Sequence, residues 1–450
     1  MSNFRQMDRD TSFLFPPSVD EWLPQRHLAR YVVEVVDGLD LSEMVKAYRG
    51  SGSASYHPAM LLSLLIYGCA TKVFSSRAIE RATYDSVAFR FIAANEHPDH
   101  DTIAAFRKRF LPQIEGLFVE VLKLARQMGM LKLGTVALDG TKIHANASRH
   151  SAISYGHARK LEKQLKREVL QLLRLAEQAD AADIPDGMSI PEELERREAR
   201  LAAIAEAKQK IEARVREQQQ AEYQQKLAMR AEQEKRTGKK PGGRPPAPPS
   251  GTIKDKEQIN LTDEESRIMP VAGGGFDQCY NAQAAVAAGS LLIVANDLTQ
   301  AANDKQQLAP MIDKLKALPK ELGRVRRALA DSGYLSEANV EHCAAAKIEP
   351  LIAMKRERHN ASWKARFAKD PSAPPQSASP MRRMAHRLKT KRGKELYALR
   401  KQIPEPVFGI IKSVMGFRQF LLRGFDNTRG EWNLVSMSWN IKRMFALQAI

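Results

Sequence analysis

At 450 residues the chain exceeds what one hydrophobic core usually supports, which predicts two or three domains; with 43% hydrophobic and 27% charged residues, wholesale disorder is excluded. Lys and Arg total 70 against 52 Asp and Glu, and the net charge of +18 points to a polyanionic partner, nucleic acid ahead of membrane. No apolar run reaches the ~18 residues of a membrane span, the start MSNFRQMDRDTSF is too polar for a signal peptide, and Cys69, Cys279 and Cys343 form no CxxC pair, so the expectation is a cytoplasmic chain without disulfide framework or zinc cluster.

Residues 1–129 are predicted as a helical N-terminal domain, with apolar residues at three- and four-residue intervals from about Asp20 to Gly129. Pro58 suits a first helical position, Ser75-Ser76 can cap a helix, and the acidic PDHD run from Pro98 precedes Ile103, Phe106 and the basic Arg107, Lys108 and Arg109. At Gly134 the pattern changes to TVALDGTKIHA, a buried strand. Further strands are predicted at YNAQAAV from Tyr280, at LLIVANDLT from Leu291, at RVRRALAD from Arg324 and at EPLIAM from Glu349. Helices are expected at Asp304–Leu318 and Ser336–Ala346, giving an α/β domain with a mixed sheet over 130–450.

That domain is interrupted at about 151–260. Apolar positions Leu161, Leu165, Val169, Leu172 and Ala176, then Leu194, Leu201, Ile204, Ile211 and Val215, predict two helices folded as an antiparallel hairpin over 157–236. ADIPDGMSIP is the turn, and TGKKPGGRPPAPPSG is an extended linker back to the sheet. The stripe is narrow and the other faces are charged, so the hairpin is expected to project and to contact DNA or a second subunit. A second basic stretch, about Lys355 to Arg392, is predicted as a linker that orders only against DNA.

A carboxylate just past the middle of an apolar strand is costly to bury as an ion, so Asp139 either caps a strand end or binds a cation. Asp331 in RRALADSGY repeats the arrangement, and ligands of α/β sheets gather at strand ends. Glu405 and Lys412 are seven residues apart and would share one side of a continuous helix, with Pro404 and Pro406 placing Glu405 at its start. Asp297 and Asp304 compete with Asp331, but Asp297 falls on the third strand and Asp304 reads as a helix N-cap. Asp277, Gln278 and Asn281 either line the site or merely cap and hydrogen-bond. The histidines are not needed as general bases if metal ions activate water, and Gly273-Gly274-Gly275 lacks the Lys-Ser/Thr of a P-loop, so no nucleotide cofactor is expected.

ALDGTK, ALADSGYLS and EPVFGIIK, in this order, resemble the three carboxylate motifs of insertion-sequence transposases of the DDE class, whose catalytic domain is RNase H-like. HPAMLLSLLIYG and PDHDTIAAFRKRF resemble that family's N-terminal helical domain, and GFDQCYNAQAAV its second strand. The resemblance implies an RNase H-like catalytic domain carrying the helical hairpin as an insertion, behind an all-α DNA-binding domain. It implies Asp139, Asp331 and Glu405 as a catalytic, metal-binding triad, and an oxygen-only set suits Mg2+ or Mn2+. Lys412 corresponds to the family's lysine seven residues beyond the glutamate; with Lys401, Arg107, Lys108 and Arg109 it is expected to bind DNA. The related signature expects Tyr seven and Arg four residues before the Glu, where this chain has Ala398 and Lys401, with Tyr397 and Arg400 each one place early. The implied function is to bind the ends of an insertion sequence, hydrolyse the phosphodiester and join the freed 3′-hydroxyl to target DNA, as a homodimer or higher oligomer. The alternatives are a non-catalytic DNA-binding descendant and a metal-dependent nuclease that does not join strands.

Overall fold

The computed structural model describes residues 18–48, 55–179, 190–354, 370–375 and 377–448. They form two compact units. The first comprises residues up to Asn146, Met269–Gly275 and Cys279 onward; the second comprises Ala147–Ile268 with Phe276–Gln278.

The first unit opens with helices α1 Val19–Trp22, α2 Leu28–Asp37, α3 Ser42–Lys46, α4 Pro58–Ala70, α5 Ser76–Asp85, α6 Val87–Ile92, α7 His100–Phe110 and α8 Ile114–Gln127. Their starts follow cap chemistry. Pro58 stands in the first turn of α4, Ser75 accepts from the Ala78 N–H, and Asp99 accepts from the Thr102 N–H at 2.8 Å. PAMLLSLLIYGCA is apolar on every side, and α4 is accordingly buried almost throughout.

The strands are β1 Thr135–His144, β4 Arg267–Pro270, β5 Phe276–Ala287, β6 Ile293–Thr299, β7 Arg327–Ala330 and β8 Glu349–Ile352, with β2 Ala152–Ser154 and β3 Gln258–Asn260 in the second unit. The six-stranded sheet has the order β4-β5-β1-β7-β8, with β6 also paired to β5. β1 runs antiparallel to β5 and parallel to β7, and β7 runs parallel to β8, so the sheet is mixed as expected. Helices α11 Leu308–Ala317 and α12 Glu337–Ala345 alternate with the last strands, followed by α13 Pro380–Lys389, α14 Lys391–Gln402, α15 Pro404–Gly409 and α16 Phe425–Leu447. α16 packs against β6 and also against α8 and α4, so helical region and sheet share one core. Trp432 in α16 is fully buried and its indole donates to the Gln283 carbonyl of β5 at 3.1 Å.

Two expectations are corrected here. Asp304 does not cap α11, which starts behind Gln307; its carboxylate turns toward β5 instead. The stretch Lys355–Arg392 is not a linker throughout: residues 355–369 lie outside the described residues, but 380–389 is helix. Ser379 accepts from the Arg382 N–H, Pro380 presets the first turn and Met384 is buried, so the basic composition concealed a capped, anchored helix.

In the second unit, α9 Tyr155–Ala179 packs on α10 Ile190–Thr237, and the residues between them, which include the expected turn, lie outside the described residues. Leu165, Ile204, Ile211 and Val215 are buried with Ile153 of β2 and Ile259 of β3, and Leu161 and Leu201 pack against them. The Pro/Gly-rich return is tied to α10, the Arg230 guanidinium donating to the carbonyls of Pro241 at 2.8 Å and Arg244 at 3.0 Å. Among the described residues no helix is long and apolar enough to cross a membrane.

Candidate active site

Asp139 does not end its strand. β1 continues to His144, paired with β5 through Cys279, which removes the strand-end cap as an explanation for the buried carboxylate. In the parallel ladder Ala137 stands opposite Leu329, so Asp331, the residue after β7, comes level with Asp139 across the sheet. Glu405 lies in the first turn of α15 behind Pro404.

These carboxylates meet at Arg400, near the end of α14. Its Nη2 lies 3.0 Å from Asp139 Oδ2 and 3.9 Å from Asp331 Oδ2, and its Nη1 lies 3.3 Å from Glu405 Oε1. Arg400 Nε is buried without a hydrogen-bond partner among the described residues, so the carboxylates alone hold the guanidinium. Burial pushes the Asp139 carboxyl up to about 6; the Arg400 charge opposes that shift and Asp331 adds to it.

Arg400 and Tyr397 had no place in the motif because each is one residue early. The extra residue falls at the junction Ile403, where α14 stops and α15 starts again behind Pro404. Arg400 therefore reaches Glu405 across the junction, and the Tyr397 hydroxyl lies 3.3 Å from the carbonyl of Ala330, the residue before Asp331. In sequence, the only hint was an arginine just upstream of PEP.

A further polar group sits beside Asp139 and was assigned otherwise from sequence. Asp304 Oδ1 accepts from Asn281 Nδ2 and Gln283 Nε2, each at 2.7 Å, and Gln283 Oε1 accepts from the buried Tyr334 hydroxyl at 2.5 Å. Tyr334 belongs to the turn that begins at Asp331, so the chain of bonds braces both aspartate segments. Gly140 makes room for it: a Cβ there would lie 2.3 Å from Gln283 Nε2 and 2.5 Å from Asp304 Oδ1. Asn281 thus lines the site, whereas Asp277 and Gln278 belong to the second unit. Asp297 faces elsewhere, within 3.4 Å of Lys314 and 3.3 Å of Arg429.

Lys412 is half-buried on the π turn Ile410–Val414 that follows α15, not on a continuous α-helix with Glu405. Its ammonium donates to Thr141 Oγ1 at 2.5 Å and to the Lys142 carbonyl at 2.7 Å, two and three residues past Asp139. An ammonium carries three donors, so one remains for a ligand. Lys401 is exposed at the end of α14. The basic residues of α7 diverge: Arg107 donates to the Phe74 carbonyl, Arg109 donates to the Ala47 carbonyl and lies over the Tyr48 ring, and Lys108 lines a cavity with Asp426 and Arg429.

For a divalent cation the donor set is suitable in kind: two aspartates and one glutamate, all oxygen, already gathered around a positive charge. Among the described residues no three His, Cys, Asp or Glu side chains stand close enough to share an ion, and the Arg400 guanidinium contacts all three carboxylates.

Residues 246–441 match the family model of the transposase DDE domain, and residues 17–109 match that of a transposase domain, DUF772. The first match includes Asp331, Glu405 and Lys412 and begins beyond Asp139, on the far side of α9 and α10. No curated protein and no solved structure matches the chain.

Proposed function

Because the chain is an insertion-sequence transposase of the DDE class, we propose that it binds the ends of its element, hydrolyses the phosphodiester there and joins the freed 3′-hydroxyl to target DNA. The observation that carries this reading is that Asp139, Asp331 and Glu405, from β1, the end of β7 and the start of α15, all contact the Arg400 guanidinium. Asp139, Asp331 and Glu405 would hold divalent Mg2+ or Mn2+, which when bound neutralises charge on the phosphodiester and activates water. Asp304, Gln283 and Tyr334 fix the backbone on which both aspartates stand. Lys412 offers its remaining donor to a DNA phosphate beside β1 as a point charge.

The helical N-terminal region, with Lys108 outward on α7, is proposed to read the element's ends, and the α9–α10 unit, read as an insertion in the catalytic domain, to hold DNA or a second subunit. The test uses the inverted repeats flanking the coding sequence: a duplex carrying one is incubated with the full chain, Mg2+ and supercoiled target. Cutting at the repeat followed by covalent joining supports the proposal. Cutting without joining makes the protein a nuclease, and binding without cutting makes it a non-catalytic descendant.

A further inference from the structure

Beyond the triad, a strongly basic surface lies on α13 and α14. Over 380–402, PMRRMAHRLKTKRGKELYALRKQ, the only acidic residue is Glu395. Arg382, Arg383, Lys389, Lys391, Arg392 and Lys394 are exposed, and none makes an ion pair among the described residues. Six uncompensated cations on two consecutive helices carry a cost in mutual repulsion that a polyanion would relieve.

The two helices are fixed to the catalytic sheet by other residues. Met384 is buried, and Arg387 pairs at 2.8 Å with Glu349, the first residue of β8. On α14, Tyr397 reaches the Ala330 carbonyl and Arg400 reaches Asp139. The turn between the helices is tight: Thr390 caps α14 through the Gly393 N–H at 3.0 Å, and a Cβ on Gly393 would lie 1.8 Å from the Arg387 carbonyl oxygen. No residue larger than glycine fits, so the free cations of both helices are held at a set position relative to the carboxylates. From Arg392 to Arg400 is eight residues of helix, about 12 Å at 1.5 Å per residue.

We infer that the exposed cations of α13 and α14 form a platform for the phosphate backbone of duplex DNA that flanks the scissile bond. The inference rests on the transposase reading and adds to it the surface that aligns the substrate. Its chemistry is that of phosphate neutralisation without base readout. Tyr397 is the only Phe, Tyr or Trp on the two helices and is directed at Ala330, so no stacking surface for unpaired bases is present there.

The test is fluorescence anisotropy of the full chain on a 3′-blocked random duplex of ~30 base pairs in EDTA over a salt series. It compares wild type with a variant carrying Arg382→Gln, Arg383→Gln, Lys391→Gln, Arg392→Gln and Lys394→Gln, with the lighter pair Arg392→Gln and Lys394→Gln in parallel. The expected result is a plot of log affinity against log salt shallower by about 0.9 for each lost phosphate contact, about 3–5 for the full set and about 2 for the pair, at unchanged melting temperature. A slope within one unit of wild type in both variants overturns the platform. A loss confined to a single-stranded oligonucleotide, or to anionic phospholipid vesicles, overturns the duplex assignment. A wild-type chain that binds no duplex at any salt refutes the transposase reading itself, and so is told apart from failure of the platform alone.

Discussion

Glu162 on α9 and Asp139 on β1 are both carboxylates beside cations, and they differ in how many cations each has. Glu162 has Lys166 at 2.7 Å to itself and Lys208 close by, and these pull its carboxyl down to about 2. Asp139 shares the single guanidinium of Arg400 with Asp331 and Glu405, and with burial added its carboxyl is pushed up to about 6. In the helical arm Glu162 has more positive partners than it needs, and its pairing with Lys208 links α9 to α10. At the sheet three carboxylates share one guanidinium, which leaves negative charge that the proposed divalent cations would neutralise.

The comparison would break first at Glu405. Glu405→Gln keeps shape and removes charge, and the account expects DNA cleavage to fall by more than the 10–100-fold typical of losing an outer partner of a metal site, with an unchanged melting curve. Next comes the brace. Tyr334→Phe leaves Gln283 Oε1 buried without its donor, so urea unfolding should show a loss of about 1–3 kcal/mol. Lys166→Ala in the arm, where Lys166 is largely exposed, should cost about 0.5 kcal/mol or less, because surface pairs are weak.

The two carboxylates should also respond to pH in opposite directions. Asp139 has a folded value near 6, above its ordinary 3.8, so the native state binds the extra proton between these values. Its contribution therefore declines as pH rises from about 4 to 6, and Asp139→Asn should flatten that part of the stability profile. Glu162 has a folded value near 2, below its ordinary 4.5, so its contribution is present above pH 4.5 and is lost as pH falls toward 2; Glu162→Gln should remove that acid loss. Urea titrations across pH 2–7 on both variants separate the two.

Much of the sheet was legible because its strands are apolar runs bounded by turn residues, as in LLIVANDLT and EPLIAM, which form Ile293–Thr299 and Glu349–Ile352. In the helical arm the apolar spacing itself was the signal: Leu165, Ile204, Ile211 and Val215 repeat at helical intervals and are buried. What sequence could not supply were features decided by approach in space. Arg400 lies 261 residues from Asp139, and its one-place shift from the motif is reconciled only by the break at Ile403. Asp304 looked like a cap because Asp before a helix is ordinary cap chemistry, but the amide groups of Asn281 and Gln283 compete for it successfully. The anchored helix α13 was hidden by composition, its single buried Met384 being too little signal against its basic neighbours.

The most direct test of the carboxylate centre is the rate at which Asp331→Asn cuts terminal-repeat DNA in Mg2+, measured beside its affinity for the same DNA. The account predicts that cleavage is lost while affinity and melting temperature stay at the wild-type values. Cleavage at the wild-type rate would contradict it and remove Asp331 from the centre.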